Sequence, residues 1–412
     1  MFEWMRLVRG GQVAGSRFMA VLMCYWYHTA KSFSIEGLWT GRYWITHTAN
    51  QQNAHAFFQW KRMAVIPRFI PALQIVRTAL SSIGVRAKAR MLKMNLGLKM
   101  KLRFICLVSF FFMHAANATI ISEYAVSRPD GSDIDYYLAH QVIESESDTL
   151  LLILQGSDCN SVLHIDSILT DYKNVWPQAD ILLIEKYGIN KKLNYSANAE
   201  RADCPEKYIQ HDSPQQRVED IKRVLNNVRA DDKYSNLIVL GGSEGAVAAN
   251  LASAQIDGIS ATVSFNGGGR KFIDDVVHSI KKSASSVAEA EASIAGFKAF
   301  STHIINHNSK DIEVSGHGYK WWNQMLSIDQ LEVLNNVNTP LLVVQGGRDL
   351  SVSPQKVDEM IFDLKESGKG NIDYLRYENL DHVFDSPDGT NMRKEITIDI
   401  NTWLKSKIDN PW

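Results

Sequence analysis

Three polar residues, Ser243, Asp349 and His382, follow one another along the chain in an order that suits nucleophilic catalysis. Ser243 lies in the sequence GGSEGA, a G-x-S-x-G motif. A serine hydroxyl is a weak nucleophile until a neighbouring base takes its proton. The motif exposes the serine on a tight turn between a strand and a helix. The flanking glycines, Gly241 and Gly245, allow the close approach of backbone that such a turn requires. The motif therefore predicts that Ser243 is a nucleophile.

The residues around the motif favour this interpretation. Residues 237–240 (LIVL) are typical of a buried strand, and residues 244–254 are typical of a helix, as the motif requires. The alternatives are a glycine-rich turn that only packs and a turn that binds phosphate. The phosphate alternative lacks the G-x-x-x-x-G-K-[ST] or G-x-G-x-x-G spacing.

The predicted acid and base each follow a later apolar segment. Asp349 comes just after residues 340–345 (PLLVVQ), and His382 comes after residues 372–377. A carboxylate at that point can accept the imidazole Nδ1–H, which fixes the tautomer and stabilises the imidazolium. The alternatives are that Asp349 is a turn or capping residue and that His382 is a surface histidine. Of the twelve histidines, His382 alone follows the last predicted strand.

Apolar segments alternate with helical ones through residues 119–412, which predicts an α/β fold with a mainly parallel sheet flanked by helices. Residues 270–335 carry no convincing core strand and predict a helical insert that could cap the site. Strands are predicted at 120–126, 136–143, 149–154, 179–184, 237–240, 261–265, 340–345 and 372–377, and helices at 213–228, 244–254, 354–367 and 393–407.

The chain carries a strong asymmetry of charge. Residues 1–99 hold 14 lysine and arginine residues against two acidic ones, whereas the remainder holds 30 against 43. Residues 100–118 have a basic start, a short apolar core and an Ala-x-Ala end, which predicts a secretory signal peptide cleaved after Ala118. We therefore expect that residues 1–99 are an over-extended translation or a disposable basic leader, that residues 100–118 are a signal peptide, and that residues 119–412 are a periplasmic or secreted mature domain. The alternative is a genuine basic region with an internal membrane anchor.

Two cysteines, Cys159 and Cys204, fall within the expected mature domain. An even pair in an oxidising compartment predicts a disulfide, and two buried free thiols are the alternative. A disulfide would stiffen the segment that contains Cys159.

The three motifs together resemble the α/β-hydrolase superfamily over roughly residues 120–408. GGSEGA is similar to its nucleophile elbow, NTPLLVVQGGRDLSVSP to its acid-bearing strand and loop, and ENLDHVF to its histidine loop. LQGSD stands where members carry H-G-x-x, with Gln155 in place of the usual histidine. The resemblance includes bacterial esterases, dienelactone hydrolases and prolyl-oligopeptidase-like enzymes.

This resemblance implies an acyl-enzyme mechanism on a small-molecule ester or acyl substrate, with the backbone N–H groups of Glu244 and Ser157 as the oxyanion hole. A peptidase, a thioesterase or an inactive binding protein are the alternatives. We expect no cofactor, no metal and no stable membrane anchor, and the acidic mature part disfavours nucleic acid. Trp321 and Trp322 are either substrate contacts or anchors of the insert.

Overall fold

The computed structural model describes residues 119–141, 147–198, 201–230, 233–309 and 311–408. The predicted leader and signal peptide lie outside these residues. Within them, no helix combines the length and the apolar character that crossing a bilayer requires.

An eight-stranded sheet forms the centre of the described domain. Its strands lie in the order β1-β2-β4-β3-β5-β6-β9-β10. In this sheet β2 runs antiparallel to both of its neighbours, β1 and β4, and the other five pairs are parallel. The strands are β1 (Thr119–Ser127), β2 (Asp133–Gln141), β3 (Thr149–Leu154), β4 (Asp180–Ile184), β5 (Asn236–Gly242), β6 (Ala261–Phe265), β9 (Leu341–Gly346) and β10 (Ile372–Tyr377).

The helices connect these strands and cover the sheet. The α-helices are α1 (Asp166–Thr170), α2 (Glu206–His211), α3 (Pro214–Val228), α4 (Glu244–Gln255), α5 (Phe272–Ser283), α6 (Val287–Asn306), α7 (Tyr319–Ser327), α8 (Gln330–Asn335), α9 (Pro354–Glu366) and α10 (Arg393–Ile408).

The central strands are apolar on both faces because both faces are covered. In β3 every residue is buried. Leu150 and Leu152 pack on one side with α3, α4 and helices of the insert, whereas Leu151 and Ile153 pack on the other side with α10. Successive side chains of a strand point to opposite faces. A strand that lies between two helical layers therefore has apolar residues at successive positions of its sequence.

Local sequence signals explain where α3 begins. Ser213 accepts a hydrogen bond from the backbone N–H of Gln216 at 3.3 Å, and Pro214 occupies the first turn. The side-chain oxygen satisfies one of the donors that a helix start leaves open, and proline has no N–H to leave unpaired.

The insert between β6 and β9 contains helices α5 to α8, as predicted. It also contains a two-stranded ribbon, β7 (Glu313–Val314) with β8 (His317–Gly318), which is separate from the main sheet. The prediction that residues 270–335 add no strand to the core sheet is confirmed.

Candidate active site

Ser243 lies on the sharp turn between β5 and α4. Its backbone has φ 54° and ψ −125°, a conformation that is costly for any residue with a side chain. A side chain at Gly241 would collide with the backbone of Gly245, and one at Gly245 would collide with the carbonyl of Leu154. The spacing of the two glycines is therefore a steric requirement of the turn.

Asp349 and His382 form a hydrogen-bonded pair at the same edge of the sheet. The Nδ1 atom of His382 lies 2.7 Å from Oδ2 of Asp349. The other carboxylate oxygen accepts the backbone N–H groups of Ser351 at 2.8 Å and Val352 at 3.0 Å. A carboxylate held in this way can fix the tautomer of the ring, so that Nε2 is left as the proton acceptor.

The carboxylate also sets the proton affinity of the imidazole. Burial alone would lower the pKa of His382, but the charge of Asp349 and its hydrogen bond outweigh burial and raise this pKa above its usual value. A raised pKa makes the ring a stronger base, because the imidazolium that forms beside Asp349 is stabilised.

Asn266 joins the loops that carry the three residues. Its side chain accepts the N–H of Gly346 at 2.9 Å and donates to the carbonyl of His382 at 2.8 Å. The carbonyl of the preceding Phe265 accepts the N–H of Ser243 at 3.0 Å. Asn266 has a positive φ of 49° and is almost fully buried. The turn of Ser243 and the loop of His382 are therefore hydrogen-bonded to the same dipeptide, Phe265–Asn266.

Within the described residues, no direct hydrogen bond joins the Ser243 hydroxyl to Nε2 of His382. Contacts of this kind are often long without substrate and tighten in the substrate complex. The geometry thus brings the acid and the base into contact and fastens the serine turn to the same support.

Residues 155–158, named here the donor loop, lie beside the serine. A side chain on Gly156 would lie 3.5 Å from Cβ of Ser243. Among the described residues, the backbone N–H groups of Ser157 and Glu244 have no hydrogen-bond acceptor. The N–H of Glu244 opens α4, where the helix dipole favours negative charge. Two unpaired donors therefore border the serine, as an oxyanion hole requires.

Gln155 makes hydrogen bonds within the donor loop and to α3. Its side-chain Nε2 donates to the backbone carbonyl of Asn160 at 2.9 Å. Its backbone carbonyl accepts a hydrogen bond from Nη2 of Arg217 at 2.9 Å. The glutamine side chain therefore stabilises the conformation of the donor loop through a hydrogen bond.

One known family matches part of the chain. Residues 286–410, less than a third of the chain, match the prolyl oligopeptidase family. The stretch contains both members of the hydrogen-bonded pair, and the strained serine turn lies at the top of a mainly parallel sheet, where α/β-hydrolases place their nucleophile. The described domain has the α/β-hydrolase fold. No curated protein matches the chain.

Three solved structures of hydrolytic enzymes are similar to this one at low identity. An esterase from Pyrococcus furiosus is 14% identical with a TM-score of 0.46, over 70% of this chain and 92% of its own. A putative dienelactone hydrolase from Klebsiella pneumoniae is 14% identical with a TM-score of 0.46, over 71% and 100%. An acylaminoacyl peptidase from Pyrococcus horikoshii is 15% identical with a TM-score of 0.48, over 74% and 44%. A likeness of this degree carries no information about activity.

Cys159, directly after the donor loop, forms a disulfide with Cys204. The two Cα atoms are 5.9 Å apart, and 45 positions separate the cysteines in sequence. The disulfide fastens the donor loop to the segment that precedes α2. The alternative of two free thiols is thereby set aside in this structure.

Trp321 and Trp322 are almost fully buried at 3% and 2% exposure. The indole N–H of Trp322 donates to the carbonyl of Val314 at 3.0 Å, and the ring of Trp321 stacks on His317 at 3.8 Å between centroids. Burial lowers the pKa of His317 to about 3. This burial favours the anchoring interpretation of the two tryptophans over substrate contact.

Three residues at the site were not identified from the sequence: Lys186, Arg217 and Asn266. Lys186 and Arg217 are buried charges that contact the donor loop. Arg217 occupies the apolar face of α3, together with Ile221 and Val224, and a charge on that face is a signal that could have found it.

Proposed function

We propose that this α/β-hydrolase is a serine hydrolase that cleaves carboxylic esters of small molecules through an acyl-enzyme. His382 takes the proton of Ser243, whose oxygen attacks the substrate carbonyl. The N–H groups of Glu244 and Ser157 hold the oxyanion, and water then releases the acyl group. The hydrogen bond between His382 and Asp349, at the edge that carries the strained turn of Ser243, is the observation that carries this proposal.

A peptidase with the same three residues is the second candidate, because residues 286–410 match the prolyl oligopeptidase family. The matched part holds the acid and the base but not the serine turn or the donor loop. Ester and amide hydrolysis share the acyl-enzyme route, so the match does not favour one leaving group over the other.

A substrate panel tests the ester proposal. We expect kcat/KM for p-nitrophenyl esters of short acids to exceed kcat/KM for the matched p-nitroanilides and acyl thioesters by at least about 100-fold, that is about 2.7 kcal/mol of transition-state stabilisation. A preference for anilides would overturn the ester proposal in favour of a peptidase. Inertness towards all three classes would favour the inactive binding protein.

We also propose that the hydrolase domain is exported, with cleavage after Ala118. The signal-like composition of residues 100–118 and the disulfide between Cys159 and Cys204 support this proposal. Expression of the full chain in a bacterial host followed by N-terminal sequencing of the periplasmic form should give Thr119 as the first residue. A mature N-terminus well before Thr119 contradicts the proposal.

A further inference from the structure

A buried lysine, Lys186, hydrogen-bonds two backbone carbonyls of the donor loop. Lys186 follows the end of β4, and its side chain is fully enclosed, at 0% exposure. Its ammonium group donates to the carbonyl of Gly156 at 2.6 Å and to that of Asp158 at 2.9 Å. An ammonium has three donors and no acceptor, so two of the three are committed to the donor loop.

The first of these contacts acts on a peptide group that the oxyanion hole uses. The carbonyl of Gly156 and the N–H of Ser157 belong to the same peptide. In a planar trans peptide the C=O and the N–H point in opposite directions. A cation that fixes the carbonyl therefore fixes the direction of the N–H. It also polarises the peptide, which makes that N–H a stronger donor.

The surrounding charges keep the lysine in place. The Nζ atom of Lys186 lies 3.6 Å from Oε2 of Glu244, whose other oxygen accepts Nη1 of Arg217 at 3.0 Å. Burial alone would raise the pKa of Glu244, but Lys186 and Arg217 outweigh burial and hold this pKa well below its usual range. Glu244 is the residue after Ser243 and supplies the other unpaired N–H. The network thus joins both sides of the proposed oxyanion hole.

We propose that Lys186 is a positioning residue of the oxyanion hole, which acts through the Gly156–Ser157 peptide. This inference rests on the proposed function, because it concerns the transition state of the same reaction. The Ser157 N–H stabilises the reaction chiefly when negative charge develops on the substrate oxygen. Loss of Lys186 should therefore lower kcat more than it changes KM.

The test compares kcat and KM for p-nitrophenyl butyrate in the wild-type domain and in Lys186→Met, Lys186→Gln and Lys186→Arg. The methionine and glutamine variants should lose about 10- to 100-fold in kcat with KM within about threefold, since one oxyanion donor is worth about 10²–10³. The arginine variant keeps the charge and the donors and should recover part of the loss. Where the methionine variant does not fold, the glutamine variant carries the test.

Lys233→Met is the matched control. Lys233 pairs with Asp180 at 2.8 Å, at the amino end of β4, whereas Lys186 follows the carboxyl end. It should change kcat by less than threefold. The proposal is overturned if a folded Lys186→Met or Lys186→Gln keeps kcat within threefold of wild type, or if Lys186→Arg loses as much as Lys186→Met. A wild-type domain without turnover would instead refute the proposed function.

Discussion

Replacing Ser243 by alanine should lower kcat for p-nitrophenyl esters by about 10⁴-fold or more, since removal of a catalytic nucleophile leaves only binding and the oxyanion hole. The hydroxyl makes no hydrogen bond within the described residues, so its removal should leave the free energy of unfolding within about 1 kcal/mol of wild type. Steady-state kinetics and urea denaturation measure the two effects.

Ser253→Ala provides a matched control on the same helix. Ser253 is buried in α4, and its hydroxyl donates to the carbonyl of Ala249 at 2.9 Å and lies 2.5 Å from Oγ1 of Thr262. Its loss should keep turnover and cost about 1–3 kcal/mol of stability, because it removes both hydrogen bonds and leaves the buried Thr262 hydroxyl without this partner. Near-normal ester turnover in a folded Ser243→Ala would remove Ser243 from the mechanism.

Replacing Asp349 by asparagine should lower kcat by about 10³- to 10⁴-fold, because an amide can hold the imidazole in the wrong tautomer. The same change should alter the pH profile. His382 must be neutral to act as a base, so kcat/KM falls as the pH drops through its pKa. Asp349 raises that pKa, so the wild-type midpoint should lie above the usual 6.5, and the variant midpoint should move to lower pH.

Asp373→Asn is the control for this profile. Asp373 lies near the amino end of β10 and accepts the indole N–H of Trp403 at 2.7 Å. It should leave both kcat and the midpoint unchanged. If Asp349→Asn keeps the wild-type kcat and the wild-type midpoint of the pH profile of kcat/KM, the Asp349 carboxylate does not set the pKa of His382.

Most of the central sheet follows from the sequence because its signals are local. The strands predicted at 149–154, 261–265 and 372–377 coincide with strands of the structure, and the first of them is apolar throughout. Strands buried on both faces need continuous apolar residues, and the glycines of the turn at Ser243 prevent collisions that a side chain would cause. The polar residues 190–211, which precede α3, contain no apolar run of this kind, and the short helix α2 was not predicted there.

The candidate site is predictable in part. Chain order was enough to select Asp349 and His382, and the structure joins them at 2.7 Å. The roles of Lys186 and Asn266 depend on contacts between loops about 30 and 80 positions apart in the chain. Such contacts arise only once the sheet has assembled, and no local pattern encodes them. The burial of Trp321 and Trp322 is likewise a tertiary outcome.

The proposed reactivity of the Ser243 hydroxyl towards acyl groups, which the pair of Asp349 and His382 supports, can be tested with a covalent probe. Its most direct test is to treat the folded domain with a fluorophosphonate and locate the modification by peptide mass spectrometry. We expect one adduct per chain, on Ser243, formed at a rate that falls with pH as His382 becomes protonated. An adduct on another residue, or an active enzyme that stays unmodified, would contradict the account.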